Sequence, residues 1–443
     1  MSVTAFRVYE GSYLDSLLLL ATTVTMEETA GVQLAGAVMA TSKGLQELTL
    51  GGFEIDELKN LAANDLVLIV RADDDDAAQA ALEAGRVAAF KAADRTERDA
   101  RDRPARSIAV AVGREPAINT AIISVPGEYA ALEAHHALTA GLHVLLFSDG
   151  VPIEEEIELK DRAGRLGRLM MGPGAGTAVL AGTGLGFANV MSRGGDRREV
   201  GIVAAAGTGA QEVATLLDRW GAGVSQVIGV GGRDLSEAVG GRMAAPAVRA
   251  LNDDPATDAV LLVSKPPSSA AARHVMAQCR TTPGVVVFLG LDDVEPPSNV
   301  HTAPTLEAGA RAAAALVGVP APSPSAGLAE VVGAAAARLR PEQLTVRGLF
   351  TGGTLCYEAQ VILEKIVGPV YSNEPLHEQY RLPAPDGSHV LLDLGAEEYT
   401  RGVPHPMIDP SGRLKLLREL SADPSVAVVV LDVVLGHGAH DDP

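Results

Sequence analysis

Aromatic side chains make up only 3% of this 443-residue chain, with a single tryptophan. Packing therefore falls to the Ala, Val, Leu and Gly behind its 47% apolar content, a balance typical of layered α/β domains. Cysteine is scarce as well. Cys279 and Cys356 are too few for a disulfide framework or a cysteine zinc site, so both are expected to be reduced thiols. Basic residues are outnumbered 36 to 56 by acidic ones, giving a net charge of −20. Such a surface repels phosphate backbones and anionic lipid headgroups, which argues against a nucleic-acid or membrane partner. No apolar run reaches the roughly 18 residues of a membrane span; the longest, 426–435, is interrupted by Asp432. The first residues carry Glu10 and Asp15 and lack the basic start and small-residue cleavage site of a signal peptide. The expectation is an acidic cytoplasmic protein of about three domains, at roughly 150 residues each.

The pattern of strands and helices divides the chain. Residues 1–108 read as a small α/β domain, with a buried strand at 66–70 and an acidic helix entrance at 73–76. Residues 91–106 read as a charged surface helix running into a linker. From residue 120, short apolar runs at 121–125 and 143–147 alternate with helical segments, the signature of βαβ units and a parallel sheet. This gives a parallel α/β domain over 109–195. A second block over 196–318 has strands at 201–205, 227–230, 259–263 and 285–289. A Pro/Ser linker at 319–330 leads to a third block over 331–443, with strands at 346–350, 390–394 and 426–435. The last of these runs into a glycine loop without a following helix, so this block is expected to be C-terminally shortened, with a partner covering its sheet.

Two loops in the second and third blocks match. One reads Gly207-Thr208-Gly209-Ala210-Gln211-Glu212 and the other Gly352-Gly353-Thr354-Leu355-Cys356-Tyr357-Glu358. Both place Gly-Thr at a strand-to-helix turn and a glutamate four residues after the threonine. Glycine lets a ligand approach the backbone, the first-turn amides are unpaired, and the helix dipole favours an anion. Threonine can cap the helix or donate to a phosphate oxygen. Glu212 and Glu358 are the candidate catalytic side chains, orienting the substrate one turn in. Arg233 and Lys265, at the carboxyl edges of strands, suit an anionic group, and His405 between two prolines is a candidate substrate contact. Cys356 at a helix start is a possible nucleophile or a packing residue. His437 and His440 are read as loop residues, as are His135 and His136 on a helix surface, and no metal site is expected.

The paired loops resemble those of succinyl-CoA synthetases and related acyl-CoA ligases, whose α-type chain joins a CoA-binding Rossmann domain to a flavodoxin-like ligase domain. Closer still is a resemblance to the FdrA family, which adds a further ligase-like domain. It is carried by Ser124-Val125-Pro126-Gly127-Glu128-Tyr129-Ala130, Phe147-Ser148-Asp149, Ile228 through Gly232 with Arg233-Asp234-Leu235-Ser236, Val263-Ser264-Lys265-Pro266-Pro267 and Pro404-His405-Pro406-Met407-Ile408-Asp409-Pro410. The resemblance implies a Rossmann-like CoA-binding domain and two flavodoxin-like ligase domains behind a small N-terminal α/β domain. It departs from ATP-driven members at one point. Their phosphoryl-carrying Gly-His-Ala loop should follow the strand at 285–289, where this chain has Gly290-Leu291-Asp292-Asp293, and His301 beyond it reads as a loop residue. No phosphate loop of the Gly-x-x-x-x-Gly-Lys kind occurs either.

A substrate already carrying activated phosphate is thus expected. The FdrA resemblance implies a subunit of an oxamate carbamoyltransferase, passing a carbamoyl group from carbamoyl phosphate to oxamate, with partner subunits or further copies of itself. The alternatives are an ATP- and CoA-dependent acyl-CoA synthetase, with CoA or a nucleotide bound, and a non-catalytic scaffold subunit.

Overall fold

Apolar strand segments separated by amphipathic helices build two parallel sheets, one mixed sheet and one antiparallel one. The computed structural model describes residues 2–53, 58, 60–90, 104–188, 199–291, 293–322, 328–401, 403–436, 438–440 and 442. The chain divides into two units, Met1–Ala105 with Thr400–Pro404, and Arg106–Tyr399 with His405–Pro443.

In the first unit, β1 (Val3–Tyr9), α1 (Ser16–Glu27), β2 (Val32–Met39), α2 (Ser42–Leu50), β3 (Leu66–Ala72) and α3 (Asp75–Phe90) form an antiparallel sheet of order β1-β3-β2 with helices against it. The apolar run of β3 is unbroken because both its faces are covered. Leu66, Leu68 and Val70 pack with Met26 and Leu82, while Val67 and Ile69 pack with Leu48 and Phe53. The acidic stretch is a helix entrance: Asp74 Oδ1 accepts the Ala77 amide at 2.9 Å.

The second unit opens with α4 (Ile108–Arg114), β4 (Thr120–Ile123), α5 (Gly127–Thr139), β5 (His143–Leu146), α6 (Ile153–Leu166) and β6 (Met170–Met171). Its strands form a parallel sheet of order β4-β5-β6. The hairpin β7 (Thr177–Leu180) and β8 (Thr183–Gly186) then leaves that sheet and pairs antiparallel with the next one, Val179 opposite Val227. So residues expected in the Rossmann-like domain contribute two strands to its neighbour.

That neighbour comprises β9 (Glu199–Ala205), α7 (Gly207–Trp220), β10 (Gly223–Gly229), α8 (Ala244–Asp253), β11 (Ala259–Ser264), α9 (Ser269–Met276), β12 (Gly284–Phe288), β13 (Val300–Thr302) and α10 (Leu306–Leu316). The sheet order is β13-β12-β11-β9-β10-β7-β8. Its parallel core steps from β9 to β10 on one side and then back to β11 on the other, the flavodoxin-like order. The strand order reverses at β9, and ligands of open α/β sheets bind at the carboxyl ends of strands at such a point.

The third block holds α11 (Leu328–Ala336), β14 (Thr345–Phe350), α12 (Gly353–Val367), β15 (Val370–Ser372), β16 (His389–Asp393), α13 (Glu397–Thr400), α14 (Ser411–Ala422) and β17 (Val426–Leu431). Its parallel sheet has the order β15-β16-β14-β17, so β14 and β16 are neighbours. The expected strand at 426–435 stops at Leu431, because the buried Asp432 turns back to hold the loop after β14. The expected surface helix at 91–106 and linker at 319–330 lie largely or partly outside the described residues. Among those described, no helix is long and apolar enough to cross a membrane.

Candidate functional site

Two helix starts meet face to face in the second unit. The helix α7 begins directly after β9, and α12 begins two residues after β14. Neither receives a side-chain cap: Ala206 and Gly352 occupy the N-cap positions in extended backbone, with no cap hydrogen bond. Their first-turn amides are therefore left without a side-chain acceptor. The approach is reciprocal. A Cβ added to Gly209 would lie 2.8 Å from Thr354 Cγ2, and one added to Gly352 would lie 2.9 Å from Thr208 Cγ2. Each Gly-Thr start thus uses a missing side chain to admit the threonine of the other. Neither threonine hydroxyl is engaged in a hydrogen bond, so both are available to an anion held between the two helix dipoles.

A cation stands beside this pair. Lys265 follows β11, the strand next to β9, and its Nζ would be 2.5 Å from a Cβ on Gly353. It lies 5.7 Å from the ring centre of Tyr357 and makes no hydrogen bond or ion pair. Tyr357 is oriented by donating to Glu374 Oε2 at 3.2 Å. Asp393, at the end of β16, reaches the same space, with Oδ2 2.6 Å from that Gly353 position. The loop into α12 is held by Asp432, which accepts from the Thr351 amide at 2.9 Å and the Thr351 hydroxyl at 2.7 Å while pairing with Arg413 at 3.0 Å.

His405 lies at the same edge. Its Nε2 would be 2.8 Å from a Cβ on Gly395, close to Asp393 Oδ1. The Met407 amide donates to its Nδ1 at 3.2 Å, which leaves the proton of the neutral ring on Nε2. Burial pushes the imidazole below its ordinary value, so it stays neutral. Its geometry makes it a hydrogen-bond donor toward the site.

The two glutamates turn elsewhere. Glu358 Oε1 accepts the Leu306 amide at 2.6 Å and so serves the start of α10. Glu212 makes no hydrogen bond and lies near Arg219, Glu307 and Glu358. Burial pushes both carboxyls up. Arg233 is engaged by Glu156 Oε2 at 2.9 Å and by the Val151 carbonyl at 2.8 Å, and it stands beside Asp149. Behind it, Glu156, Lys160 and Asp234 form a closed buried network, with Lys160 Nζ donating at 2.7 and 2.8 Å to the two carboxylates and at 2.9 Å to the Val230 carbonyl.

The Cys356 thiol is buried and pushed up to about 12, chiefly by desolvation, which favours packing over reactivity. His301 lies on β13, His135 bonds Arg162 on the flank of α5, and the His440 ring bonds within its own loop while its amide donates to the Met407 carbonyl at 2.9 Å. His437 lies outside the described residues.

The structure thus brings together Gly207, Thr208, Gly209, Gly352, Gly353, Thr354, Lys265 and His405. Sequence reasoning missed Asp393, Asp432 and Asn373. A carboxylate closing a strand that neighbours a glycine-threonine turn is the one signal that could have found Asp393.

A family model described as CoA-ligase matches residues 349–443, the block that contains the α12 start. A model described as AllF, heavy metal-associated domain, matches residues 1–105. That stretch has no cysteine and no histidine, and, besides Met1, its methionines Met26 and Met39 are buried in the core. These residues do not fit a soft heavy metal. The α subunit 2 of an ADP-forming succinate–CoA ligase from Archaeoglobus fulgidus is 32% identical over 155 residues, 34% of this chain and 52% of the relative. The chain thus spans about half the length of that subunit. An ATP citrate lyase from Methanothrix soehngenii, solved with citrate and coenzyme A, superposes with a TM-score of 0.36 at 17% identity, covering 47% of this chain and 36% of that one. The "Uncharacterized protein YahF" of Escherichia coli K12 is 38% identical over 440 residues, 98% of this chain and 84% of the relative. On that match the chain belongs to the family of YahF, and its last block is similar to CoA-ligases.

Proposed function

We propose that this chain carries the acyl-transfer site of an acid–thiol ligase, holding the phosphoryl group of an acyl phosphate between two helix starts and passing the acyl group to CoA. One observation carries the reading: the α7 and α12 starts interlock through Gly209 against Thr354 and Gly352 against Thr208, both without side-chain caps. An anion there gains two helix dipoles, unpaired amides, two free hydroxyls and the Lys265 ammonium. In the transfer, the thiol sulfur bonds to the acyl carbon, the bond from that carbon to the phosphate oxygen breaks, and inorganic phosphate leaves. The thiol proton goes to the phosphate or to solvent. His405, donating through Nε2, would polarise the acyl carbonyl. A direct transfer suits the residues present: Cys356 keeps its proton, and His405 presents a donor where a phosphoryl acceptor would need a lone pair.

The crevice for the thiol arm would be the carboxyl edge of the β4-β5-β6 sheet, where α5 and α6 also start without side-chain caps. The relatives support CoA-ligase chemistry in place of the carbamoyl transfer expected from the sequence. Completion by partner subunits or by further copies of the chain belongs to the same reading.

The test is a phosphorus NMR time course on the purified protein. Acetyl or succinyl phosphate with CoA goes in one tube, carbamoyl phosphate with oxamate in a second. CoA-dependent conversion of the acyl phosphate to inorganic phosphate is expected. Oxamate-dependent loss of carbamoyl phosphate alone would transfer the site to carbamoyl chemistry. Silence in both tubes, with no broadening of the phosphate line, would leave a scaffold.

A further inference from the structure

One side chain at this site is out of keeping with an anion. Asp393 is only 3% exposed, and its backbone is clamped by Asn373, whose Nδ2 donates to its carbonyl at 3.0 Å and whose Oδ1 accepts its amide at 2.9 Å. Its Oδ1 accepts the Gly395 amide at 3.0 Å. Its Oδ2 makes no hydrogen bond and points at Gly353, the first residue of α12, beside Lys265 Nζ. A carboxylate oxygen without a protein donor, on a residue only 3% exposed, therefore lies beside the first residue of α12, where an oxyanion would be collected. Two negative groups in that space repel strongly, whereas a protonated Oδ2 would supply a further donor.

The groups around Asp393 come from every element packed on it. Lys265 follows β11, Glu374 follows β15, Asp432 follows β17, Cys356 and Tyr357 lie on α12, and His405 lies beyond α13. Asp432 is paired with Arg413, and Tyr357 donates to Glu374. Lys265 alone opposes the carboxylate charge, and burial outweighs it, so the Asp393 carboxyl is pushed above its ordinary value.

We propose that Asp393 is the proton-carrying group of the anion site: an oxyanion enters between the helix starts together with a proton, which Asp393 Oδ2 binds and donates to it as a hydrogen bond. The inference rests on the phosphate-site reading above and adds the proton to it. In turnover the same proton is placed to pass to the phosphate oxygen as the acyl–oxygen bond breaks, and Asp393 then regains one from solvent.

Sulfate is the probe, because it is a dianion that does not titrate between pH 6 and pH 8. Calorimetric titrations of the full chain are run in two buffers of different ionisation enthalpy. The expected result is uptake of about one proton per sulfate at the alkaline end, with affinity falling about tenfold per pH unit above the Asp393 titration. D393N should bind sulfate with no proton uptake, independently of pH, and more tightly than wild type at pH 8. K265M should bind more weakly yet keep the proton uptake. Sulfate binding by wild type without proton uptake, or equal uptake in D393N, would overturn the assignment while leaving the anion site standing. No sulfate or phosphate binding by wild type or D393N would sink the anion site and the assignment together. Binding by D393N alone, with none by wild type at any pH, would overturn the assignment, since the anion would then not bring a proton to Asp393. Should D393N fail to fold, D393S carries the same comparison.

Discussion

The α7 and α12 starts share a sequence pattern and differ in what surrounds them. The α7 start follows β9, a strand buried along nearly its whole length in a seven-stranded sheet, and no side chain ties down its turn. The α12 start follows β14 in a four-stranded sheet whose neighbour β17 leaves Val428 and Leu431 exposed. Its turn is tied by Asp432 and faced by Lys265 and Asp393. A start inside a large sheet is positioned by packing alone, whereas one on a small sheet takes polar clamps, and those clamps bring the charges that give one end of the site its chemistry. The glutamates diverge in the same way: Glu358 caps α10, and Glu212 has no such partner.

The comparison breaks most severely at Asp432. D432A leaves Arg413 buried without its carboxylate and Thr351 without an acceptor, which should cost about 3–5 kcal/mol in urea unfolding. A change of that size at Ala206, before α7, is not expected. At the site itself, K265M should lose about 1.5–3 kcal/mol of sulfate binding by calorimetry, with little change in stability, because Lys265 makes no hydrogen bond or ion pair and only a cation–π contact with Tyr357.

Symmetry between the starts is sharpened by G209A and G352A. Each pushes a methyl group into the opposite threonine and should cost about 1–3 kcal/mol by overpacking. Both should weaken sulfate binding, since each spreads the same pair of helix starts. The smallest effects separate the glutamates. E358A should cost about 0.5–2 kcal/mol through loss of the bond to Leu306. E212Q should go the other way with pH. A carboxyl raised by burial contributes fully below its unfolded value, and that contribution is lost as pH rises through the folded one. The variant should therefore be at least as stable as wild type at pH 8 and show no gain at pH 4, as read by thermal melts across pH.

Much of the architecture was legible along the chain. The strand of residues 66–70 needed only its unbroken apolar run, and the Gly-Thr turns stood out because strand, glycine and helix follow each other within a few residues. The partners were not legible. Thr351 and Asp432 are 81 residues apart, Lys160 and Asp234 are 74 apart, and neither local propensity nor periodicity links such positions. The matching spacing of Glu212 and Glu358 suggested a shared role; in the fold both lie near α10, but only Glu358 accepts one of its amides. Likewise Arg233, a plausible anion contact on residue type, is occupied by Glu156 and Val151.

Sequence by itself determined the α/β class, the parallel βαβ rhythm and the two matching Gly-Thr helix starts, because each depends on residues adjacent in the chain. Tertiary structure alone decided that those starts interlock, that Lys265 arrives between them, and that Asp393 faces the same space with an oxygen left unpaired. Those outcomes depend on sheet order, which brings the ends of β9, β11, β14 and β16 to one edge, and sheet order is set by the burial of whole layers and not by any short run of residues.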